Sequence, residues 1–392
     1  MSLILRKTVL LNPFAGYGIG FLLAVALIYC ELCELYVNGL QPQTLHLILA
    51  TSIGSLLIGF SYSIRGAFSY YDIPCRSRFL RIGAAVISCA YVLEIIAFGS
   101  VPLLNALAGN DSGYSRFGIP HFKVLLTAFN SFFIVYSFHT AISAKSPKDK
   151  RLAWFACILA LGWYLVIMCR GFFIFNLVAC LYVYCQRMRL KLWHLLTVLL
   201  LVAVVGYGFG LLGDARSVED GGADMMVELA RPTERFEQSG LPTQYLWPYV
   251  YASCSLASLD KMMDEMPSEN IGLDYFIFNY LPLTISKRFL PMEEQFLKAE
   301  PYRIAPGLTT GTVYREVYGY GGWGGTVTYY FFLMLFGCCI HLLVPKGSDM
   351  YHVAMSQLFV MMTFCCFANL FVELGYTGIF LFCMIFNQRR EK

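Results

Sequence analysis

The residues of this chain with the most chemical potential are ionisable groups set against long apolar runs. Glu94 lies inside the stretch YVLEIIAFGSVPLL (91–104). A carboxylate placed there is costly in hydrocarbon and takes either a partner or a functional cavity. Two readings stay open: a structural pair with an Arg on another helix, or an acid–base group. The short segment NDSGYSRFGIPHF (110–122) adds Asp111, Arg116 and His121, the last placed to start a helix rather than to act as a base. Arg170 stands where two short apolar blocks meet. Its planar, permanently charged fork fits phosphate oxygens, although an Arg at a membrane face also snorkels toward headgroups. GYGFGLLGDARS (206–217) carries Asp214 and Arg216 out of one block, and RIAPGLTTGTVYREVYGYGGWGG (303–325) brings Arg303 and Arg315 to the start of the next. Glycines in the second segment permit unusual backbone angles and close ligand approach, or simply a flexible re-entry to the membrane. Four arginines at one level beside carboxylates suit a diphosphate whose lipid tail lies in a bilayer. They suit anionic-lipid binding without chemistry equally well.

Soluble catalytic signatures are missing. The chain lacks the phosphate-loop, metalloprotease and nucleophile-elbow patterns, which argues against ATP hydrolysis, metalloproteolysis and α/β-hydrolase chemistry. The six His are scattered and no Cys/His cluster has zinc-ligand spacing, so neither a metal nor another cofactor is expected. Most of the fourteen Cys fall in apolar blocks (Cys30, Cys89, Cys157, Cys180, Cys338, Cys365, Cys383), where they act as small apolar side chains.

The elements that must position these groups are helices. Of 392 residues, 58% are hydrophobic and only 14% charged, against about 25% charged in soluble domains. Apolar blocks run over 14–36, 43–63, 83–104, 122–144, 152–169, 171–186, 192–212, 323–344, 351–371 and 374–387. Most have the length needed to cross about 30 Å of hydrocarbon, where only a helix satisfies its own backbone. The expectation is an all-α polytopic membrane protein with about ten transmembrane helices. The blocks at 152–169 and 171–186 form a tight hairpin or one broken helix. Arg6 and Lys7 precede the first block, and no small-x-small cleavage site follows it, so it reads as a retained first span.

Lysine and arginine concentrate in alternate connections: Arg65, Arg76, Arg78 and Arg81, then KSPKDKR (145–151), QRMRLK (186–191), Lys346 and the terminal NQRREK. The expectation is an inner-membrane protein whose termini the positive-inside rule puts in the cytoplasm, with the long loop outside, in the periplasm if the source is Gram-negative. The layout is a bundle of seven spans over 1–212, a large periplasmic loop over 213–322, and three further spans over 323–392. The loop holds nine Lys/Arg against sixteen Asp/Glu and a lone Cys254, which leaves no disulfide within it. Its aromatic segments at 245–259 and 271–283 are expected to be interfacial or re-entrant helices over the outer span ends, or else part of a compact cap.

Several stretches together resemble the O-antigen and oligosaccharide repeat-unit polymerases (Wzy-type). They are EIIAFGSVPLL (94–104), RFGIPHF (116–122), CRG (169–171), GLLGDARS (210–217), WPYVYASCSLASLD (247–260) and TTGTVYREVYGYGGWGG (309–325). Their order and spacing fit the family over roughly residues 80–345, and Ser100 departs from the Gly more usual there. The resemblance implies a GT-C-like integral-membrane glycosyltransferase that transfers an oligosaccharide from undecaprenyl diphosphate to a second lipid-linked repeat unit. Donor and acceptor would both be undecaprenyl-diphosphate-linked oligosaccharides. A chain-length regulator and a repeat-unit flippase would be partners, and nucleic acid would not. On that reading Arg170, Arg216, Arg303 and Arg315 serve the diphosphate and sugar-phosphate region, while Asp214 and Glu94 are the acid–base or acceptor-orienting groups. No nucleotide sugar is used, so no metal-binding Asp pair is required. An O-antigen ligase sharing the donor, a lipid flippase or transporter, and a structural partner of an assembly complex are the competing readings.

Overall fold

The computed structural model describes residues 3–108, 113, 116–188, 192–216, 223–267, 271–290, 300–305 and 308–388. Asp111 of the short segment lies outside these residues. Among them the chain is helical, with one isolated antiparallel bridge between Cys33 and Pro232. Four helices, Pro42–Ile64, Ser77–Phe98, Phe122–Ser143 and Arg315–Leu343, are long and apolar enough to cross a membrane. Shorter apolar helices accompany them, consistent with a helical membrane protein.

In chain order the helices are α1 (Leu3–Leu10), α2 (Pro13–Tyr29), α3 (Pro42–Ile64), α4 (Ser77–Phe98), α5 (Pro102–Leu107), α6 (Phe122–Ser143), α7 (Pro147–Val166), α8 (Arg170–Arg187) and α9 (Leu192–Arg216). The long connection contributes α10 (Ala223–Ala230), α11 (Glu234–Ser239), α12 (Leu246–Glu265), α13 (Leu273–Tyr280) and α14 (Leu283–Ser286). α15 (Arg315–Leu343), α16 (Tyr351–Thr363) and α17 (Leu374–Ile385) complete the bundle.

Local chemistry explains several boundaries. Proline opens α2, α3, α5 and α7, at the position where a missing N–H costs nothing. Asn12 caps α2 by accepting from the Ala15 N–H at 2.9 Å. Gly99 ends α4 in the left-handed conformation, so the block expected to run to 104 stops at Phe98. The first block likewise stops at Tyr29, ahead of Glu31 and Glu34, rather than reaching 36. A turn through Met168 separates α7 from α8, which resolves the hairpin-or-broken-helix alternative as two helices.

α6 is the central helix. Of its apolar window 78% is buried, against 39% for each of the other three long helices. α2 packs just as tightly on α16, because a side chain at Gly16 would meet Thr363 Oγ1 at 2.6 Å. Outward faces carry large apolar residues: Leu57 and Phe155 are each 61% exposed, Leu200 66% and Phe331 63%. A continuous outward-facing apolar surface is the inverse of a soluble protein and marks a lipid-facing one.

The two ends of the bundle differ in chemistry. Basic turns collect at one of them: Lys7 donates to the carbonyl of Gln186, Lys346 to that of Gly66 and Arg187 to that of Ile142. Arg76 pairs with Asp349 there, and Tyr71 donates to Ser348 O at 2.6 Å. The long connection folds over the other end. Tyr249 of α12 donates to Leu27 O at 2.9 Å, and the Gln41 N–H donates to Asp260 at 3.0 Å. α12 is largely buried, so the segment at 245–259 behaves as core, whereas α13 leaves Leu273 73% and Phe276 49% exposed.

Candidate functional site

Two departures from regular helix build a cavity at the end covered by the long connection. The block expected over 351–371 is helical only to Thr363. It then passes through tight turns at Phe364–Cys366 and Leu370–Val372 before α17 starts. Three hydrogen bonds hold this broken stretch. The Val313 N–H donates to Cys365 O at 2.7 Å, and Asn369 Oδ1 accepts from Tyr329 at 3.1 Å and from the Phe371 N–H at 3.2 Å. Opposite it, α15 begins at Arg315, eight residues before the expected block, and kinks at Gly322. The left-handed φ of 52° at Gly322 favours glycine. Its neighbours have a packing role, since a Cβ at Gly321 or Gly325 would strike the Tyr275 ring at 2.5 and 2.7 Å. The glycine run therefore admits an aromatic ring of α13, and Tyr275 donates to Gly325 O at 2.7 Å.

Between these pieces lies a cavity of about 270 Å³ whose polar wall includes Asn279, Arg315, Glu316, Asn369 and Glu373. Phe278 and Phe367 supply aromatic surface. Arg315 donates through Nε to Glu316 Oε1 at 2.7 Å and through Nη1 to Thr309 O at 3.0 Å, while Nη2 also reaches Glu316 Oε1. A guanidinium has five N–H groups, so two stay without a partner among the described residues. Asn279 is 1% exposed and its Oδ1 has no hydrogen-bond partner among the described residues. Glu373 occupies the N-cap of α17, yet its side chain caps nothing. Burial pushes its carboxyl up to about 7, above the ordinary carboxylate range.

The sequence-predicted residues are dispersed. Arg315 lines the cavity, and Arg170, Arg303, Asp214 and Glu94 do not. Arg170 is exposed at the start of α8. Arg303 pairs with Glu300 on the long connection and sits under Lys261, which donates to its carbonyl at 3.3 Å. The side chain of Arg216 lies outside the described residues. Asp214, in the last turn of α9, accepts from Trp247 Nε1 at 2.7 Å and from Gln244 at 3.0 Å, which clamps the long connection to that helix. The expected convergence of four arginines on one site is thus not found among the described side chains. Arg303 and Arg315 are each neutralised by a glutamate close in sequence, which competes with assembly of a common anion site.

Glu94 is fully buried, and neither carboxylate oxygen makes a well-formed hydrogen bond. Lys123 and the backbone at Ile119 face it, so its cationic neighbour is a lysine, where one of the two open readings placed an arginine. The 116–121 segment closes over it: a Cβ at Gly118 would stand 3.1 Å from Glu94 Oε1. His121 occupies the N-cap position of α6, a helix start as its place before an apolar block implied, and its side chain makes no capping bond. Sequence reading missed Glu316 and Glu373. Glu373 lay in a two-residue gap between blocks, and the available signal was a carboxylate abutting the apolar run LGYTGIFLFCMIF (374–386).

No protein-family model, curated protein or solved structure matches the chain.

Proposed function

We propose that this protein is an integral-membrane glycosyltransferase that polymerises undecaprenyl-diphosphate-linked oligosaccharide repeat units at the periplasmic face of a bacterial inner membrane. The observation that carries the reading is the cavity itself. It joins an arginine with two available N–H groups to carboxylate, amide and aromatic walls, at the membrane-bundle end that the long connection covers. Such a wall can hold a phosphate oxygen on one side and a sugar on the other. Next to it, α13 and α14 present Leu273, Phe276 and Ile285 outward, which supports a rim in contact with lipid and a substrate carried on a lipid tail. The gathering of basic turns at the opposite end supports ten spans with both termini in the cytoplasm.

Chemistry follows from the reaction type. Breaking the bond between the anomeric carbon and the diphosphate builds negative charge on phosphate oxygens. A preplaced guanidinium stabilises that charge without reorganising. On this reading Arg315 faces the leaving diphosphate. Arg170, Arg216 and Arg303 guide the anionic headgroup toward it. A chain-length regulator and a repeat-unit flippase would be its functional partners.

The test is the surface polysaccharide of a strain lacking the gene, resolved on a gel beside the complemented strain. A ladder that collapses to core plus one repeat and returns on complementation is the expected result. Loss of every repeat from the core would favour a ligase or flippase, and an unchanged ladder would overturn the reading.

A further inference from the structure

The cavity wall has an imbalance that a diphosphate site alone does not explain. It holds one cation, Arg315, against two carboxylates, Glu316 and Glu373. Arg315 is already bonded to Glu316 through two of its nitrogens. What the wall lacks is donors for its acceptors. Asn279 Oδ1 is buried without a partner, and Glu373 makes no side-chain hydrogen bond to any described residue although a helix N-cap carboxylate usually does. A buried acceptor left unpaired costs about 1–3 kcal/mol, so such atoms point to a ligand that donates. Phosphate at neutral pH is chiefly an acceptor. Sugar hydroxyls donate, and the CH faces of a sugar ring pack on aromatic rings such as Phe278 and Phe367. A volume of about 270 Å³ falls just below the range of drug-sized ligand pockets and suits one or two sugar rings.

We infer that this cavity is the acceptor-sugar pocket, in which Glu373 takes the proton of the attacking hydroxyl and Asn279 Oδ1 holds a neighbouring hydroxyl. The inference rests on the polymerase reading above. In the step, the acceptor oxygen bonds to the donor's anomeric carbon as the bond from that carbon to the diphosphate oxygen breaks. The electron pair leaves with the diphosphate, which Arg315 faces, and the hydroxyl proton passes to the Glu373 carboxylate. Glu373 thus replaces Asp214 and Glu94, which line no part of the cavity, as the acid–base group. The charged and titratable groups facing Glu373 are Arg315 and Glu316 across the cavity, Cys169 ahead of α8 and Tyr376 one turn into α17. Because burial holds its carboxyl near 7, Glu373 is ready to act as a base just above neutrality.

The experiment uses the full-length protein in liposomes with lipid-linked repeat units extracted from a deletion strain. Initial rates of chain growth are read from pH 5.5 to 8.5. Wild type is expected to speed up as pH rises through about 7. Glu373→Gln, of the same size, should lose about 10²–10⁴-fold and its pH dependence, and Glu373→Asp should recover part of both. With free repeat-unit oligosaccharide as an acceptor lacking diphosphate, Asn279→Ala should raise the acceptor KM more than it lowers kcat. If wild type extends chains but Glu373→Gln keeps its rate and pH profile, the pocket assignment is wrong while the polymerase reading stands. If wild type extends nothing, both fall together.

Discussion

Two arginine–carboxylate pairs sit at opposite ends of the bundle, and their surroundings separate architecture from chemistry. At the basic end, Arg76 pairs with Asp349 and also donates to Phe386 O at 3.3 Å, while Asp349 Oδ1 accepts from the Gln388 N–H at 3.2 Å. Asp349 is 2% exposed. That pair is closed, its members bonded to one another and to the backbone around them. At the other end, Arg315 shares one oxygen of Glu316 between two of its nitrogens, and the rest of the group faces a cavity beside Glu373 and the unpaired Asn279 Oδ1. A closed pair holds elements together. An open pair next to orphan acceptors leaves capacity that a ligand can use.

Breaking the closed pair should have the largest effect on folding. Arg76→Ala leaves Asp349 buried without its cation, a loss of about 3–5 kcal/mol. Thermal unfolding in detergent should show a large drop in Tm, and cells should hold little protein. An unshifted Tm would mean the pair is not structural.

Arg315→Ala should do the reverse, keeping protein level while cutting chain growth by about 10²–10³-fold, the usual cost of removing one preorganised charge donor. Arg315→Lys should recover only part of the rate, because a point charge does not replace a fork. A collapse in Tm comparable with that of Arg76→Ala would erase the distinction between the two ends.

Asp214→Ala should fall between them. Losing the acceptor for Trp247 and Gln244 should cost about 1–3 kcal/mol and expose the long connection to limited proteolysis, with less effect on chain growth than Arg315→Ala. Glu94→Gln should have the smallest effect on rate, under about tenfold, since Glu94 touches no part of the cavity. A larger loss would move the chemistry to Glu94 and the 116–121 segment that closes over it.

Much of the architecture was legible in the residues. Apolar blocks became helices because a buried backbone in an apolar setting must bond to itself. Lys7, Arg76, Arg187 and Lys346 lie at one end because consecutive helices run back and forth between the same two faces. The site was far less legible. Six residues stood out by charge and position, but among the five whose side chains are described Arg315 alone lines the cavity. The break after Thr363 has no signal in TFCCFANLFVE (363–373), a run as apolar as the helix before it. It is held by contacts from afar, the Val313 N–H on Cys365 O and the Tyr329 hydroxyl on Asn369. Glycines that read as a flexible or ligand-approaching segment instead make room for Tyr275.

Sequence by itself determined the helical class and the order of apolar segments. These follow from the one-dimensional alternation of apolar and charged stretches, whose energetics are local to each segment. Only the tertiary structure decided which side chains share a cavity, since helices at a common end still differ in rotation and neighbour. It paired Arg303 with Glu300, clamped Asp214 to Trp247, buried Glu94 under the 116–121 segment and set Glu373 in the wall of the cavity that Arg315 also lines. Each of those outcomes depends on which surfaces pack together, a property of the assembled bundle and of no single stretch of chain.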